Sequence, residues 1–415
     1  MISLAIIKPF KSVRPRVELA SRVAALPYDV YNREEALEEV LKEPLSFLTV
    51  DRAETQFAKD FNPYEAKVYE KARDTLKDMI DEGLLIKEEN LCYYVYELTM
   101  DGRSQTGLVG CAALEDYVNN VIKKHEKTRE DKEIDRTTHV DICNAQTGPI
   151  FLAYRSQKII NDVVDVIKKA TPLYDFVAPD GVGHTVWKID QVSDLETIYI
   201  GFKNVESIYI ADGHHRAASA VKVGLKRREE NPGYTGKEEF NFFLSVLFPH
   251  DQLMILDYNR VVKDLNGLSR EEFLTEVAKA FSVEVMGLEP YKPSEKATFG
   301  MHLEGVWYKI TAKPEIRSED PVEGLDVSLL QKHILTSVLN IKDIRTDKRI
   351  DFVGGIRGLK ELEKRTRSDM KVAFSMYPTS IKELFEVSDA DQLMPPKSTW
   401  FEPKIRSGLF IHELK

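Results

Sequence analysis

The sequence predicts an α/β (α+β) fold, a mixed-sheet core followed by a second α+β domain. Three observations support this. β-rich runs alternate with helical periods as far as Phe248, the pattern of a layered fold built on a mixed sheet. Asp101 and Gly102 stand between two apolar runs, a strong short-range hairpin signal. Past Pro249, His250 and Asp251 the chain enters a new cycle of helices and strands, which sets the boundary there, with domains 1–250 and 251–415. At 415 residues, 43% hydrophobic and 30% charged, the chain can bury a core in each.

Taken in order, Met1 to Ile7 reads as a first strand, and Lys8, Pro9 and Phe10 leave it for a loop that reaches Leu26, Pro27, Tyr28, Asp29 and Val30. Asn32 can cap a helix over Arg33 to Lys42, which Pro44 stops, and a longer helix from about Pro63 to Glu82 ends at Gly83. These two helices form an insertion in the first domain. Cys92 to Met100 and Gln105 to Leu114 are the arms of the expected hairpin. A helix through Thr138 to Gln146, a strand at Pro149 to Tyr154, a helix at Ser156 to Ala170 and strands near Tyr174 to Ala178 and His184 to Ile189 follow.

The segment Lys123 to Arg136 packs six basic and five acidic residues around one histidine. Such a run is ordinarily a solvated face with nearly cancelling charge. Its functional reading is an anion cradle of His125, Lys127, Thr128 and Arg136, with Glu126 available for a cation.

Ser207 to Arg216, SIYIADGHHR, has the layout of a ligand site. A short strand through Ile208, Tyr209 and Ile210 ends abruptly in an acid, a glycine, two histidines and an arginine. Gly213 lets backbone approach a ligand closely, and a helix starting near His214 aims free N–H groups and its positive dipole end at an anion. Asp212 can then serve as a base or a metal ligand, while His214, His215 and Arg216 offer donors to phosphate. Capping accounts for Asp212 and Gly213 alone but not for the adjacent cationic residues. The helix from His214 to Arg228 carries Ala217, Ala218, Ala220, Val221 and Leu225 and is followed by Asn231, Pro232 and Gly233.

Phe240 to Phe248 reads as a buried strand. Beyond the boundary come a helix at Arg270 to Phe281, strands near Val283 to Met286, Phe299 to Leu303 and Val306 to Ile310, and a helix at Val327 to Leu339 with Asp326 as its N-cap. The glycines Gly354, Gly355 and Gly358 lack a suitably placed Walker lysine and read as a strand-to-helix turn. The tail from Met394 to Phe410 is too polar for a core and too aromatic for a free end, which suits a rim or lid, or an arm covering a sheet edge.

Net charge is −10, which argues against an extended nucleic-acid surface. Cys92, Cys111 and Cys143 have no metal or disulfide spacing. The short apolar start suits neither a signal peptide nor a membrane span, so the expected compartment is the cytoplasm and no membrane partner is expected.

These residues carry a resemblance. ADGHHRAASA after an apolar strand resembles the signature turn of the ParB/sulfiredoxin superfamily, whose members bind nucleotide phosphates at this strand-turn-helix. LPYDV, HEKT, ADGHHRAASA, LDVSLLQ, DFVGG and MPPKSTWFEPKIRSGL together resemble one full-length bacterial family of formerly unknown function, similar to free-serine kinases. The resemblance implies a ParB/sulfiredoxin-like sheet in the first domain. Sulfiredoxin chemistry needs a cysteine in the turn, which is lacking here, and an acidic chain without a helix-turn-helix disfavours the DNA-partitioning branch. The kinases keep Asp-Gly-x-His-Arg, which Asp212, Gly213, His215 and Arg216 match.

The implied activity is phosphoryl transfer to the hydroxyl of free L-serine, with pyrophosphate, ATP or ADP as donor and Mg2+ as cofactor. Asp212 would be the base, His215 and Arg216 would hold the phosphoryl group, and Gly213 and His214 would add contacts. Lys127 and Arg136 are further phosphate contacts. Asp29 and Glu126 are candidate metal ligands, Asp29 reading equally well as a turn cap. The expected partners are serine and the donor, with a homodimer as an open assembly. The alternative is a regulatory module that binds nucleotide or phosphate without turnover. Metal hydrolysis by His214 and His215 is disfavoured, because adjacent residues seldom face one ion.

Overall fold

The computed structural model describes residues 4–415, which form two compact units. The first comprises residues 4–124, 128–253 and 403–415; the second comprises 125–127 and 254–402. The expected mixed α/β class holds in both. Among the described residues no helix is long and apolar enough to cross a membrane.

The first unit is built on a nine-stranded sheet. Its strands run in the spatial order Ile122–Lys123, Ile208–Asp212, Ile150–Tyr154, Phe242–Pro249, Arg103–Ala113, Tyr93–Met100, Gly183–Ile189 and Tyr174–Val177, and Ile7–Lys8 pairs with Arg103–Ala113. Two pairings are parallel, Ile208–Asp212 with Ile122–Lys123 and Phe242–Pro249 with Ile150–Tyr154. The hairpin turns at Asp101 (φ 51°) and Gly102 (φ 77°), both left-handed as a two-residue turn of the I′ kind demands. Ile208, Tyr209 and Ile210 are fully buried, which anchors the motif strand in the sheet. Ala217, Ala220 and Val221 of the helix His214–Glu230 join Ile150, Leu152 and Ile210 in the same core.

A second core within this unit joins Phe47, Val50, Val68, Ala72 and Leu76 of the helical insertion to Ile411 of the tail. Asn32 caps the helix Arg33–Lys42 in a capping box with Glu35, and the next long helix covers Ala66–Asp81.

Several elements differ from expectation. Of the first strand, residues 1–3 lie outside the described residues, and pairing covers only Ile7–Lys8. The helix placed at Thr138 to Gln146 starts inside the charged run, spanning Glu130–Cys143. Polar periodicity hid it, because its buried face consists of Asp135, Arg136, His139 and Cys143. Asn144 (φ 52°) ends it, and Ala145–Gln146 pairs with His412–Glu413. The helix Val192–Phe202 was not anticipated.

The second unit has a six-stranded antiparallel sheet in the order Phe281–Gly287, Val306–Ala312, Thr298–Leu303, Val372–Ser375, Tyr258–Val262 and Ile350–Gly354. Val261, Trp307, Val353, Leu362 and Ala373 form its core. The expected helix Val327 to Leu339 is a short α-helix, Asp326–Leu330, that widens into a π-helix over Gln331–Thr336. Asp326 does not cap it. Leu325 holds the N-cap position, and the buried Asp326 carboxylate accepts from the backbone N–H of Ala297 instead (2.9 and 3.0 Å).

Candidate functional site

The end of the motif strand is shaped by a register shift. Against Ile150–Tyr154, Ile210 pairs with Leu152 and Asp212 with Phe151, so Ala211 is an extra residue. Such a bulge re-aims the next side chain. Gly213 follows at φ 93°, ψ 34° and is the N-cap of His214–Glu230, a helix start that no side chain caps. Its first-turn N–H groups and dipole therefore favour an anion.

Asp212 is half-buried. Its Oδ1 accepts from the N–H of Gly213 at 2.9 Å. Its Oδ2 lies 3.2 Å from Lys404 Nζ and 3.9 Å from Arg216 Nη2. Burial alone would raise this carboxyl, but Lys404 and then Arg216 outweigh it and hold Asp212 well below the usual carboxylate range. Arg216 has a side chain only 10% exposed. Its Nη1 donates to the carbonyl of Pro149. Its Nη2 is buried and, among the described residues, has no hydrogen-bond partner.

A buried donor of this kind is costly unless something accepts from it. Arg216 also lines a small cavity with Tyr28, Arg136, Thr147, Gly148 and Ser407. Arg136 donates from Nε to Asp135 (2.9 Å) and from Nη1 to the carbonyl of Asp51 (3.3 Å), and its guanidinium lies 4.3 Å over the Tyr28 ring. The two cations thus flank one space, which adjoins a larger cavity of about 310 Å3 through the shared walls Tyr28, Asp51, Arg136 and His139. The larger cavity also exposes Asp29, Glu54 and Lys132. Arg52 fixes its rim by donating to the carbonyls of Tyr28 (2.8 Å) and Tyr31 (2.6 Å).

The remaining expected residues distribute as follows. His215 Nε2 accepts from the N–H of Arg129 at 2.9 Å, so in this arrangement that nitrogen carries no proton and only Nδ1 can donate. His214 is buried. Thr128 Oγ1 donates to Glu133 rather than facing outward to an anion. Asp29 is exposed on the rim of the larger cavity. His125, Glu126 and Lys127 belong to the second unit, where the carbonyl of His125 accepts from the N–H of Met394 at 2.8 Å. This backbone bond ties the short 125–127 segment to the start of residues 394–402.

Sequence reasoning missed Lys404 and Ser407. Their segment, Pro403–Lys415, pairs through Ser407 with Ala25 (2.9 and 3.2 Å) and through Ile411 with Val13 (2.9 and 3.0 Å). Arg406 beside them donates to His184 Nε2 (3.2 Å), whose Nδ1 meets Tyr96 Oη (2.8 Å). Burial and then Arg406 push His184 down to about 3, so this imidazole is neutral. The mixed polar and aromatic make-up of the tail was the signal available.

Among solved structures, the chain is similar to a free serine kinase in complex with AMP, at 16% identity and a TM-score of 0.35, covering 73% of this chain and 92% of that one. It is also similar to SbnI with C-terminal truncation from Staphylococcus aureus, at 11% identity and a TM-score of 0.38, covering 72% and 85%. A conserved hypothetical protein from Pyrococcus furiosus matches at 16% identity and a TM-score of 0.34, covering 73% and 94%. No curated protein matches the chain. The family described as "Protein of unknown function (DUF1015)" matches residues 7–328.

Proposed function

The chain belongs to the DUF1015 family, and we propose that this member is a small-molecule kinase that transfers a phosphoryl group to the hydroxyl of free L-serine, giving O-phosphoserine. The donor is pyrophosphate or a nucleotide, ATP or ADP. The observation that carries the reading is the buried Nη2 of Arg216, without a hydrogen-bond partner among the described residues, beside a cavity shared with Arg136 and next to an uncapped helix start. Guanidinium groups and first-turn N–H groups suit phosphoryl oxygens. Serine as acceptor rests on the match of Asp212, Gly213, His215 and Arg216 to the Asp-Gly-x-His-Arg turn. We likewise assign the first unit to the ParB/sulfiredoxin superfamily on that turn, and the cytoplasm as its compartment.

In this mechanism the seryl Oγ–P bond forms as the P–O bond to the leaving group breaks, releasing phosphate from pyrophosphate, ADP from ATP or AMP from ADP. The seryl proton passes to the Asp212 carboxylate and from there to solvent. A carboxylate held as low as Asp212 is a weak base, which suits a loose transition state in which the proton leaves late. Arg216 and Arg136 hold the charge that spreads over the phosphoryl oxygens. The larger cavity, with carboxylates and cations on its walls, has the size and mixed charge to take a zwitterionic amino acid. Asp29, on the rim of the larger cavity, is the carboxylate we assign to magnesium, which when bound would supply charge neutralisation for the donor phosphates.

One observation favours a second reading. Lys404 and Arg216 already occupy Asp212, and a turn so neutralised could hold a phosphate ligand for regulation without turnover. Incubation with L-serine, MgCl2 and each donor in turn, followed by mass spectrometry, separates the two. O-phosphoserine with one donor supports the kinase. Donor binding without product supports the regulatory module.

A further inference from the structure

We propose that Lys404, carried by the C-terminal segment, is a phosphate-binding residue of the Asp212–Arg216 turn. The inference rests on reading that turn as a phosphate site. Lys404 lies 192 positions from Asp212 in sequence, yet its ammonium is 3.2 Å from Asp212 Oδ2 and its side chain is only 14% exposed. It cannot wander, because the segment that carries it is fixed. Ser407 pairs with Ala25 and Ile411 with Val13, while Arg406 is held by His184 and Asp180. The same segment sets Ser407 against Gly148, where an added Cβ would come 2.9 Å from Ser407 Oγ and 3.7 Å from Arg216 Nη1.

The electrostatics give Lys404 a task. An anionic phosphoryl group brought to the helix start meets the Asp212 carboxylate, and two anions at that range repel strongly. One cation beside Asp212, Arg216, offsets either the carboxylate or the phosphoryl group, since the charge of Arg136 is already shared with Asp135. A second, Lys404, allows both. A compact ammonium with three rotatable donors can share its hydrogen bonds between Asp212 Oδ2 and an incoming oxygen, which a guanidinium locked on the Pro149 carbonyl does less readily. The ligand class is thus a phosphoanion, and the segment supplies a cation from outside the residues that the family match covers, 7–328.

Isothermal titration of the full chain with pyrophosphate, and separately with ADP, tests this. Lys404→Gln is expected to weaken binding of at least one of them tenfold or more, and Lys404→Arg, which keeps the charge, to stay within about threefold of wild type. The loss from Lys404→Gln is expected to persist in an Asp212→Asn background. An unchanged affinity in Lys404→Gln overturns the proposal. So does a loss that vanishes once Asp212 is neutral, because Lys404 would then act only by holding that carboxylate. Should Lys404→Gln fail to fold, Lys404→Met and the arginine variant carry the comparison. A wild type that binds neither pyrophosphate nor ADP sinks the phosphate-site reading itself, a result distinct from a wild type that binds and a Lys404→Gln that binds equally.

Discussion

Gly213 lies directly under Arg216: a Cβ built on Gly213 would come 3.0 Å from the Nε of Arg216 and 3.1 Å from its Cζ and Nη2. The glycine also sits at φ 93°, which an L side chain adopts only under strain. Gly213→Ala is therefore expected to displace the guanidinium and to cost about 1–3 kcal/mol. Urea denaturation measures the cost, and calorimetric titration with pyrophosphate or ADP should show at least tenfold weaker binding.

Asp212→Asn keeps the shape of the turn and removes the proton acceptor. Phosphoserine formation is expected to fall on the order of 10²-fold or more with the circular dichroism spectrum unchanged. The pKa of Asp212 is depressed in the fold, so its ion pairs stabilise the protein fully above the unfolded value of about 3.9 and are lost as pH falls below it. Wild type and variant should therefore differ in stability at pH 7 and converge in strong acid.

Arg136 neutralises Asp135, which is buried and also accepts from Tyr69 Oη at 2.9 Å. Arg136→Ala strands that carboxylate, and the loss is expected at about 3–5 kcal/mol. Removing both charges, as Arg136→Met with Asp135→Asn, should recover much of it. Thermal denaturation of the single and double variants checks the non-additivity.

In the second unit, burial pushes Asp326 up to about 7, and Glu383 adds to the rise against the bonds from Ala297. A raised acid favours the protonated fold, so stability should fall as pH rises from about 4 towards 7 and level off above, by roughly 4 kcal/mol at most. Asp326→Asn removes this slope. Denaturation followed by tryptophan fluorescence at pH 5 and pH 8 should show the variant gaining on wild type at the higher pH.

The motif was legible because its signals are local. Strand periodicity stops at Asp212, a glycine follows, and helical periodicity resumes at His214. The hairpin at Asp101 and Gly102 was legible for the same reason. The first half of the helix Glu130–Cys143 was not, since Arg136 is buried by pairing with Asp135 and packing on Tyr28 rather than by apolar pattern. Nor was the bond between His215 and the backbone of Arg129, or the approach of Lys404 to Asp212. Both depend on how distant segments fold together, and neither residue type announces it.

The central claim, that the Asp212–Arg216 turn transfers a phosphoryl group to serine, is tested most directly by phosphorus NMR of the protein with L-serine and magnesium, offering pyrophosphate, ATP and ADP separately. The account predicts a phosphoserine resonance with one donor, absent in Asp212→Asn and in Arg216→Ala. Silence with all three donors from a folded protein that binds them, or a phosphoserine signal that both variants retain, would contradict it.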